Sequence, residues 1–263
     1  MKKTFKKIFV IILAVVLMTG MLSFNVSSAT ATVTIAEADT VQEIQTRIND
    51  AIATGATTIN VTGSKISANA ILNITIPAGV TVMWNAVYKG VANPVIDYYG
   101  AGTLNIGSGG WVQNTHTTGS VSAIRANGSS LIVSGGTVQS GRGRAIEGAG
   151  PNTVVSVTSG RVFNEATGNL FPVIDITNAS NIGSVVVSVS GGEVFAVPAP
   201  AATQYGYVLQ SYGDILITGG TLSTSGTSGR VVNLVGDSTN VTVSGGVLPA
   251  TGAAGTAIST STT

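Results

Sequence analysis

Cysteine is absent from the 263-residue sequence, histidine occurs once, and charged residues make up only 9%. Without cysteine the chain can form no disulfide, so its stability has to come from an apolar core or from bound metal. The one histidine, His116, lies in a polar loop without a second ligand beside it, as surface residues do, and no zinc-ligand spacing can be assembled. No metal and no other cofactor is therefore predicted.

The N-terminus has the three parts of a secretory signal peptide. Four lysines precede an apolar run over residues 8–22, and Ala29-Thr30-Ala31 fits the small-x-small rule of a signal peptidase site. A cut after Ala29 fits nearly as well. The alternative is a retained membrane anchor, since the run is about as long as a short spanning helix. The pattern predicts a bacterial, Gram-positive-like signal peptide over residues 1–31, and a secreted or cell-surface protein that meets the membrane only before cleavage.

Removal of that segment changes the charge of the chain. Twelve Lys and Arg stand against eleven Asp and Glu in the whole sequence. Without the four lysines of the signal peptide, eight basic residues remain, and the net charge becomes about −3 by the same count. A mildly acidic chain with scattered charges is a poor partner for nucleic acid or an anionic membrane. No nucleic-acid partner is predicted.

A short repeat organises the rest of the chain. A β-branched run, then Gly-Gly or Ser-Gly, then further strand residues recurs six times, as in Val-x-Val-Ser-Gly-Gly-x-Val over residues 187–194. Self-similarity at this period indicates stacked units, and the alternating strands suit one coil of a β-helix. The predicted fold is all-β, a right-handed parallel β-helix; an up-and-down barrel and a β-sandwich are the alternatives. The final glycines, 24 to 32 residues apart, are Gly110, Gly136, Gly160, Gly192, Gly220 and Gly246.

A second column of residues supports the stacking. Between the glycine pairs, most coils contain a small or β-branched residue, then a large aliphatic residue, then a polar residue. Equivalent residues of adjacent coils in a parallel stack lie about 4.8 Å apart, so the polar residues are predicted to form an outward ladder. Glu147 and Asp175 would be like-charged neighbours in it. The predicted members are Asp97, Arg125, Glu147, Asp175, Gln210 and Asn233.

A helix is predicted before the first coil, over residues 40–53. Its apolar residues follow a helical spacing, and Thr40-Val41-Gln42-Glu43 matches a capping box. A β-helix needs its first coil covered, because an open end exposes apolar core and strand edges, so this helix is predicted to be a cap. The predicted organisation is a signal peptide (1–31), an N-terminal strand and capping helix (32–56), and β-helix repeats (57–263). The last repeat looks incomplete, and an uncovered end would favour end-to-end self-association.

The helix followed by short-strand coils resembles the bacterial secreted right-handed β-helix proteins, the pectin-lyase-like superfamily in its broad sense. The Val-x-Val-Ser-Gly-Gly-x-Val coils are more similar to those of surface and adhesin-type repeat proteins than to those of its enzymes. The resemblance covers residues 40–259, and its motifs are structural. A shared fold alone does not transfer an activity.

The enzymes of that superfamily use carboxylates and a basic residue on a polysaccharide. The candidates here are Glu147 and Asp175 on adjacent rungs, with Arg144 nearby, since two stacked carboxylates raise each other's proton affinity, as an acid/base pair requires. The alternative, which the sequence favours, is that both are ordinary ladder residues, solvated and bridged by Arg125 or Arg144. No catalytic residue is therefore assigned.

Aromatic residues suggest a second kind of site. Tyr205, Tyr207 and Tyr212 flank the longest loop, and exposed aromatic rings can stack on sugars. A group nearer the N-terminus (Trp84, Tyr88, Tyr98 and Tyr99) is a weaker candidate for sugar contact. In both groups the alternative is packing against loops and coil corners.

One motif has two interpretations. Residues 248–252, Leu-Pro-Ala-Thr-Gly, match the signal by which sortases anchor Gram-positive surface proteins, but no apolar span or basic tail follows. The match also falls in the register of the repeats, which favours coincidence.

The predicted function is that of an exported surface or extracellular solenoid with an adhesive or structural role and no catalysis. The alternatives are a polysaccharide lyase or glycoside hydrolase, and a non-catalytic glycan-binding module. The predicted partners are accordingly a polysaccharide or a surface protein.

Overall fold

The computed structural model describes residues 29–165, 171–176, 185–197, 206–235 and 239–261. Its strands form a parallel β-solenoid of about eight turns, each with three strand segments. Every strand pair among these residues is parallel. A parallel arrangement is incompatible with an up-and-down barrel or an antiparallel sandwich, so the predicted β-helix is confirmed and both alternatives are wrong.

The strand segments stack into three faces. The first face contains β1 (Thr30–Ile35), the N-terminal part of β2 (Thr58–Ala68), β4 (Thr81–Trp84), β7 (Thr103–Ile106), the N-terminal parts of β10 (Ser130–Ser140) and β12 (Val154–Asn164), β14 (Val185–Val189), the N-terminal part of β17 (Asp214–Thr224) and β19 (Val241–Val247). The second face contains the C-terminal parts of β2, β10, β12 and β17, with β5 (Val87–Gly90), β8 (Trp111–Asn114) and β15 (Glu193–Ala196). The third face contains β3 (Leu72–Thr75), β6 (Ile96–Tyr99), β9 (Val121–Asn127), β11 (Gly143–Gly148), β13 (Ile174–Ile176), β16 (Tyr207–Ser211), β18 (Arg230–Val235) and β20 (Thr256–Ser261).

The core is a column of Val, Ile and Leu side chains that point inward from all three faces. On the first face, Val155 and Val157 lie against the equivalent residues of the turns before and after, and both are fully buried. A single turn could not bury these side chains, so stacking supplies the core. Burial of each such side chain contributes about 1.5–3 kcal/mol.

The repeated glycines lie where a long strand passes from the first face to the second. In β12, Gly160 has a φ of 87°, and a Cβ at this position would lie 2.3 Å from the carbonyl oxygen of Gly136 in the preceding turn. Gly136 does not have a positive φ, but its Cβ would lie 2.4 Å from the carbonyl oxygen of Gly107. Positive φ therefore favours glycine at some corners, and the close approach of the preceding turn explains glycine at others.

Helix α1 (Val41–Ala53) lies before the first complete turn, as predicted. The Thr40 hydroxyl accepts a hydrogen bond from the Glu43 amide (3.2 Å), and the Thr40 amide donates to the Glu43 carboxylate (2.7 Å). Three helix residues, Val41, Ile44 and Ile48, are buried in the same core as the strands. The helix packs on β1, β2 and β3 and so covers the core at this end of the stack.

Strand β1 pairs with β2 and adds one strand to the first face ahead of the first complete turn. It begins at Thr30, two residues before the predicted N-terminal segment of 32–56. No helix of the described part of the chain is long and apolar enough to cross a membrane.

Candidate functional site

A polar ladder runs along the third face, in the predicted register. Each polar residue pairs with its counterpart in the next turn, so that Asp97 lies opposite Arg125, Arg125 opposite Glu147, and Glu147 opposite Asp175. The third-face ladder comprises Asn73, Asp97, Arg125, Glu147, Asp175, Gln210, Asn233 and Ser259. Asn73, at the N-terminal end, is a rung that the sequence pattern did not reveal.

The ladder is less open to solvent than predicted. The Asp97 side chain is only 1% exposed, because the Arg125 guanidinium pairs with it and Asn127 and Tyr99 cover it. The Asn127 amide donates to Asp97 at 2.6 Å, and the Tyr99 hydroxyl donates at 2.8 Å. Donation of this hydrogen bond raises the pKa of Tyr99 above its ordinary value. Asp97 thus accepts hydrogen bonds from three side chains.

The two predicted catalytic carboxylates are brought onto neighbouring rungs, and each has its own partner. Glu147 accepts a hydrogen bond from the Ser122 hydroxyl at 2.6 Å. Asp175 pairs with Arg144 Nε at 2.5 Å and accepts from the Gln210 amide at 3.3 Å. The prediction that Asp175 is solvated is wrong, because its side chain is 1% exposed.

Burial is the main reason that the pKa of Asp175 is raised above its ordinary value. Arg144 opposes that rise, and the nearby Glu147 carboxylate adds to it. Arg144 itself is fixed by a hydrogen bond to the Ser120 hydroxyl (2.9 Å) and by the Phe171 ring, whose centroid lies 4.9 Å from its Cζ. The buried Asp175 carboxylate therefore lies beside the Arg144 guanidinium, whose position is fixed, an arrangement typical of a buried ion pair.

Tyr207 and Tyr212, two of the three predicted glycan-binding tyrosines, lie at opposite ends of one strand. Tyr207 begins β16 and lies beside Arg230, whose Cζ is 5.6 Å from the ring centroid. Tyr212 lies just past the other end of the strand, so about five residues at 3.3 Å each separate the two along its length. Tyr205 lies outside the described residues. Sugar contact by these tyrosines stays a prediction.

The N-terminal aromatic residues are mostly core residues. Trp84, Tyr88 and Tyr98 are fully buried, and the Trp84 and Tyr88 rings meet edge to face with centroids 5.5 Å apart. Burial raises the pKa of Tyr88 and of Tyr98 well above the ordinary value. These three residues therefore present no ring to a ligand in solution, whereas the partly exposed Tyr99 donates a hydrogen bond to Asp97 of the third-face ladder.

The His116 side chain has a hydrogen-bond partner within its own loop. The His116 Nδ1 accepts a hydrogen bond from the Thr118 amide at 3.2 Å. Within the described segments, no three His, Asp or Glu side chains lie close enough together to hold a metal ion.

Residues 248–252, the sortase-like motif, continue the second face. Ala250 forms a β-bridge with Thr224, and the Thr224 amide donates to the Pro249 carbonyl at 3.1 Å. The predicted repeat register of this motif is confirmed.

Aromatic residues on the outer side of the second face were missed at the level of sequence. The rings of Phe163 and Phe195, which are register partners, stack with centroids 4.7 Å apart and planes 6° apart. Trp111, 36% exposed, has Lys89 Nζ 3.3 Å from its ring centroid. Alignment of the coils on their final glycine would have found these residues, since Phe163 and Phe195 both follow that glycine by three positions.

A groove lies at the C-terminal end of the Phe163–Phe195 stack. Its volume is about 200 Å³. The residues that line it are Phe195, Ala196, Val197, Ser223, Thr224, Ser225, Pro249 and Thr251. Gly206, just before Tyr207, packs against Thr224 and Ala196 and so borders the groove. The second face thus has an aromatic wall beside a hollow lined with hydroxyl groups.

The geometry separates two regions: a third face with two ion pairs, Arg125–Asp97 and Arg144–Asp175, and a second face with an aromatic groove. No protein-family model, no curated protein and no solved structure matches this chain.

Proposed function

We propose that the chain is an exported, non-catalytic β-solenoid that acts outside the cell, or on its surface, as an adhesive or structural module. The observation that carries the proposal is the third-face ladder. The residues best suited to acid/base catalysis, Glu147 and Asp175, bind side chains of the neighbouring turn there. The Asp175 side chain is 1% exposed.

The surface chemistry supports the same proposal. A parallel solenoid exposes long faces in which equivalent side chains repeat at about 4.8 Å from turn to turn. Such faces suit contact with an extended partner. A low share of charged residues, 9%, makes contact through apolar and hydroxyl groups more favourable than electrostatic capture.

The resemblance to secreted right-handed β-helix proteins, and to their adhesin-type members in particular, agrees with this function. It rests on the coils and the N-terminal helix. Because the fold hosts both enzymes and binding proteins, the choice between them depends on the side chains of this chain. A lyase or hydrolase would need Glu147 and Asp175 in contact with a sugar chain, and the burial of Asp175 opposes that.

Export is tested by the location and mass of the mature protein. We expect the full chain, produced in a Gram-positive host, to accumulate outside the cytoplasm with its first residue at Thr30 or Thr32. A cut after Ala29 would leave β1 whole, whereas a cut after Ala31 would remove its first two residues. The readouts are cell fractionation and intact-mass spectrometry.

The matched control is Val16→Asp, which places a charge in the apolar run of the signal peptide. This variant should remain inside the cell at its full mass. An uncleaved wild-type chain in the cytoplasm would contradict the proposal.

A further inference from the structure

The side-chain column that contains Phe163 and Phe195 changes character along the solenoid. Gln113, Gln139, Phe163, Phe195 and Ser223 are successive register partners on the outer side of the second face. The two rings are nearly parallel, so the stack runs along the solenoid axis. One side of Phe195 faces Phe163, and its other side faces the turn of Ser223. Because serine is small, no third ring continues the stack in the described part of the chain, and Phe195 lines the groove on that side.

The flanking cation does not close the groove. Arg161 Cζ lies 5.1 Å from the Phe163 centroid and 5.0 Å from the Phe195 centroid. A point equally far from two parallel stacked rings lies beside the stack and not beyond its end. Arg161 also pairs with Glu193 at 3.1 Å, and both side chains are more than half exposed. The pair leaves the rim of the stack close to neutral.

The uncharged lining of the groove favours an uncharged ligand. None of the eight described residues of the lining carries a charge, and four carry hydroxyl groups: Ser223, Thr224, Ser225 and Thr251. An acidic sugar or a phosphate would find no charged partner in this lining. Thr224 Oγ1 accepts from the Gly226 amide at 3.3 Å, and the Thr251 hydroxyl donates to the Thr224 carbonyl at 3.4 Å. An apolar ring in the same lining as the Ser223 and Ser225 hydroxyl groups matches a pyranose ring, which has an apolar C–H face and a polar edge.

The size of the groove limits what can enter it. Its volume of about 200 Å³ is below the roughly 300–1,000 Å³ of sites that enclose a drug-sized ligand. It suits one ring of a longer chain that continues over the open second face. Trp111 offers no equivalent platform, because Lys89 lies over its ring and its Nε1 donates to Gln139 at 3.3 Å.

We propose that this groove binds one pyranose ring of a neutral polysaccharide, with the sugar stacked on the ring of Phe195. The proposal rests on the function proposed above, since it supplies the ligand class and the contact site for an extracellular adhesive solenoid. It differs from the predicted tyrosine site, although Gly206 places the start of the Tyr207 strand at the border of the same groove.

The test is depletion of the purified mature protein from solution by insoluble cellulose, xylan and starch, with cross-linked polygalacturonate as an acidic comparison. We expect at least one neutral polysaccharide to deplete the wild type. Phe195→Leu keeps an apolar side chain but removes the flat wall, so its affinity should fall about tenfold, equivalent to about 1.4 kcal/mol. Phe163→Leu breaks the same ring stack without altering the groove lining and should bind as the wild type does.

A second variant separates loss of binding from loss of folding. Ser223→Phe places a third ring in the column, so it should fill the groove and abolish depletion while the thermal unfolding midpoint is maintained or raised. Wild-type affinity in both Phe195→Leu and Ser223→Phe would overturn the proposal. So would depletion by polygalacturonate alone, or by none of the four matrices. An exported chain that no polysaccharide depletes refutes the groove proposal only, whereas an uncleaved cytoplasmic chain refutes the proposed function.

Discussion

Replacement of Gly160 by alanine is expected to lower the stability of the solenoid by about 3–5 kcal/mol, because a left-handed backbone conformation and a steric overlap act together. The new Cβ would lie 2.3 Å from the Gly136 carbonyl oxygen and 2.8 Å from the Gly135 carbonyl carbon. Both atoms belong to the backbone of the preceding turn, so neither can move without disturbing strand pairing. The measurement is the midpoint of urea unfolding followed by circular dichroism.

Gly55→Ala is the matched control for this substitution. Gly55 has a φ of 85°, close to the 87° of Gly160, and nothing lies within 4 Å of its ideal Cβ position. Only the conformational cost of about 1–2 kcal/mol should appear there. Equal losses at the two positions would mean that the stacking of turns does not explain the glycine at the corner.

Arg144→Met is expected to destabilise the protein by about 3 kcal/mol at pH 7, because it leaves the buried Asp175 carboxylate without its cation. The Arg144–Asp175 pair joins two adjacent turns, with Nε and Oδ2 2.5 Å apart. Gln210 would remain as a neutral donor at 3.3 Å. The double variant Arg144→Met/Asp175→Asn should recover most of the loss, since no uncompensated charge then remains.

The loss should depend on pH in a definite direction. Burial already raises the pKa of Asp175, and Arg144 is the group that opposes this rise. Without Arg144 the folded chain holds the Asp175 proton still more readily than the unfolded chain does. The destabilisation is therefore absent below the unfolded pKa of about 3.9 and develops as pH rises through the folded pKa. Unfolding midpoints at pH 4 and pH 7 measure it.

Arg142→Met serves as the control, since it removes the same side chain two residues away. The described contact of Arg142 is a long hydrogen bond to the Thr117 carbonyl, at 3.5 Å. Loss of this contact at a half-buried position should cost at most about 1 kcal/mol. A defect at Arg144 that grows on acidification, or that Arg142→Met reproduces, would contradict the role assigned to the ion pair.

The fold could be predicted because local chemistry repeats with the turns. The glycine pairs marked the corners, and the aliphatic–polar series gave the register of the third face residue by residue, including Glu147 opposite Asp175. The Thr40–Glu43 capping box gave the start of α1. Each of these signals depends on neighbours in the chain or on equivalent positions in successive turns, and both are visible in one sequence.

The surroundings of individual side chains were less predictable. Whether Asp175 is solvated depends on the path of Arg144 and Gln210 around it, which come from different turns. The Phe163–Phe195 stack was not predicted, because the two residues are 32 positions apart in the sequence. Both also point outward from strands that the pattern of inward apolar residues identifies. The groove depends further on the small size of Ser223, a residue with no signal of its own.

We propose that the third-face ladder holds adjacent turns together and that the solenoid performs no catalysis. This proposal is tested most directly by incubation of the wild type and Glu147→Gln with cellulose, xylan, starch and polygalacturonate, followed by assay of new reducing ends and unsaturated ends. We expect neither protein to release ends above the level of a protein-free blank. Release by the wild type that Glu147→Gln abolishes, with an unchanged unfolding midpoint, would contradict the proposal and establish the ladder as an active site.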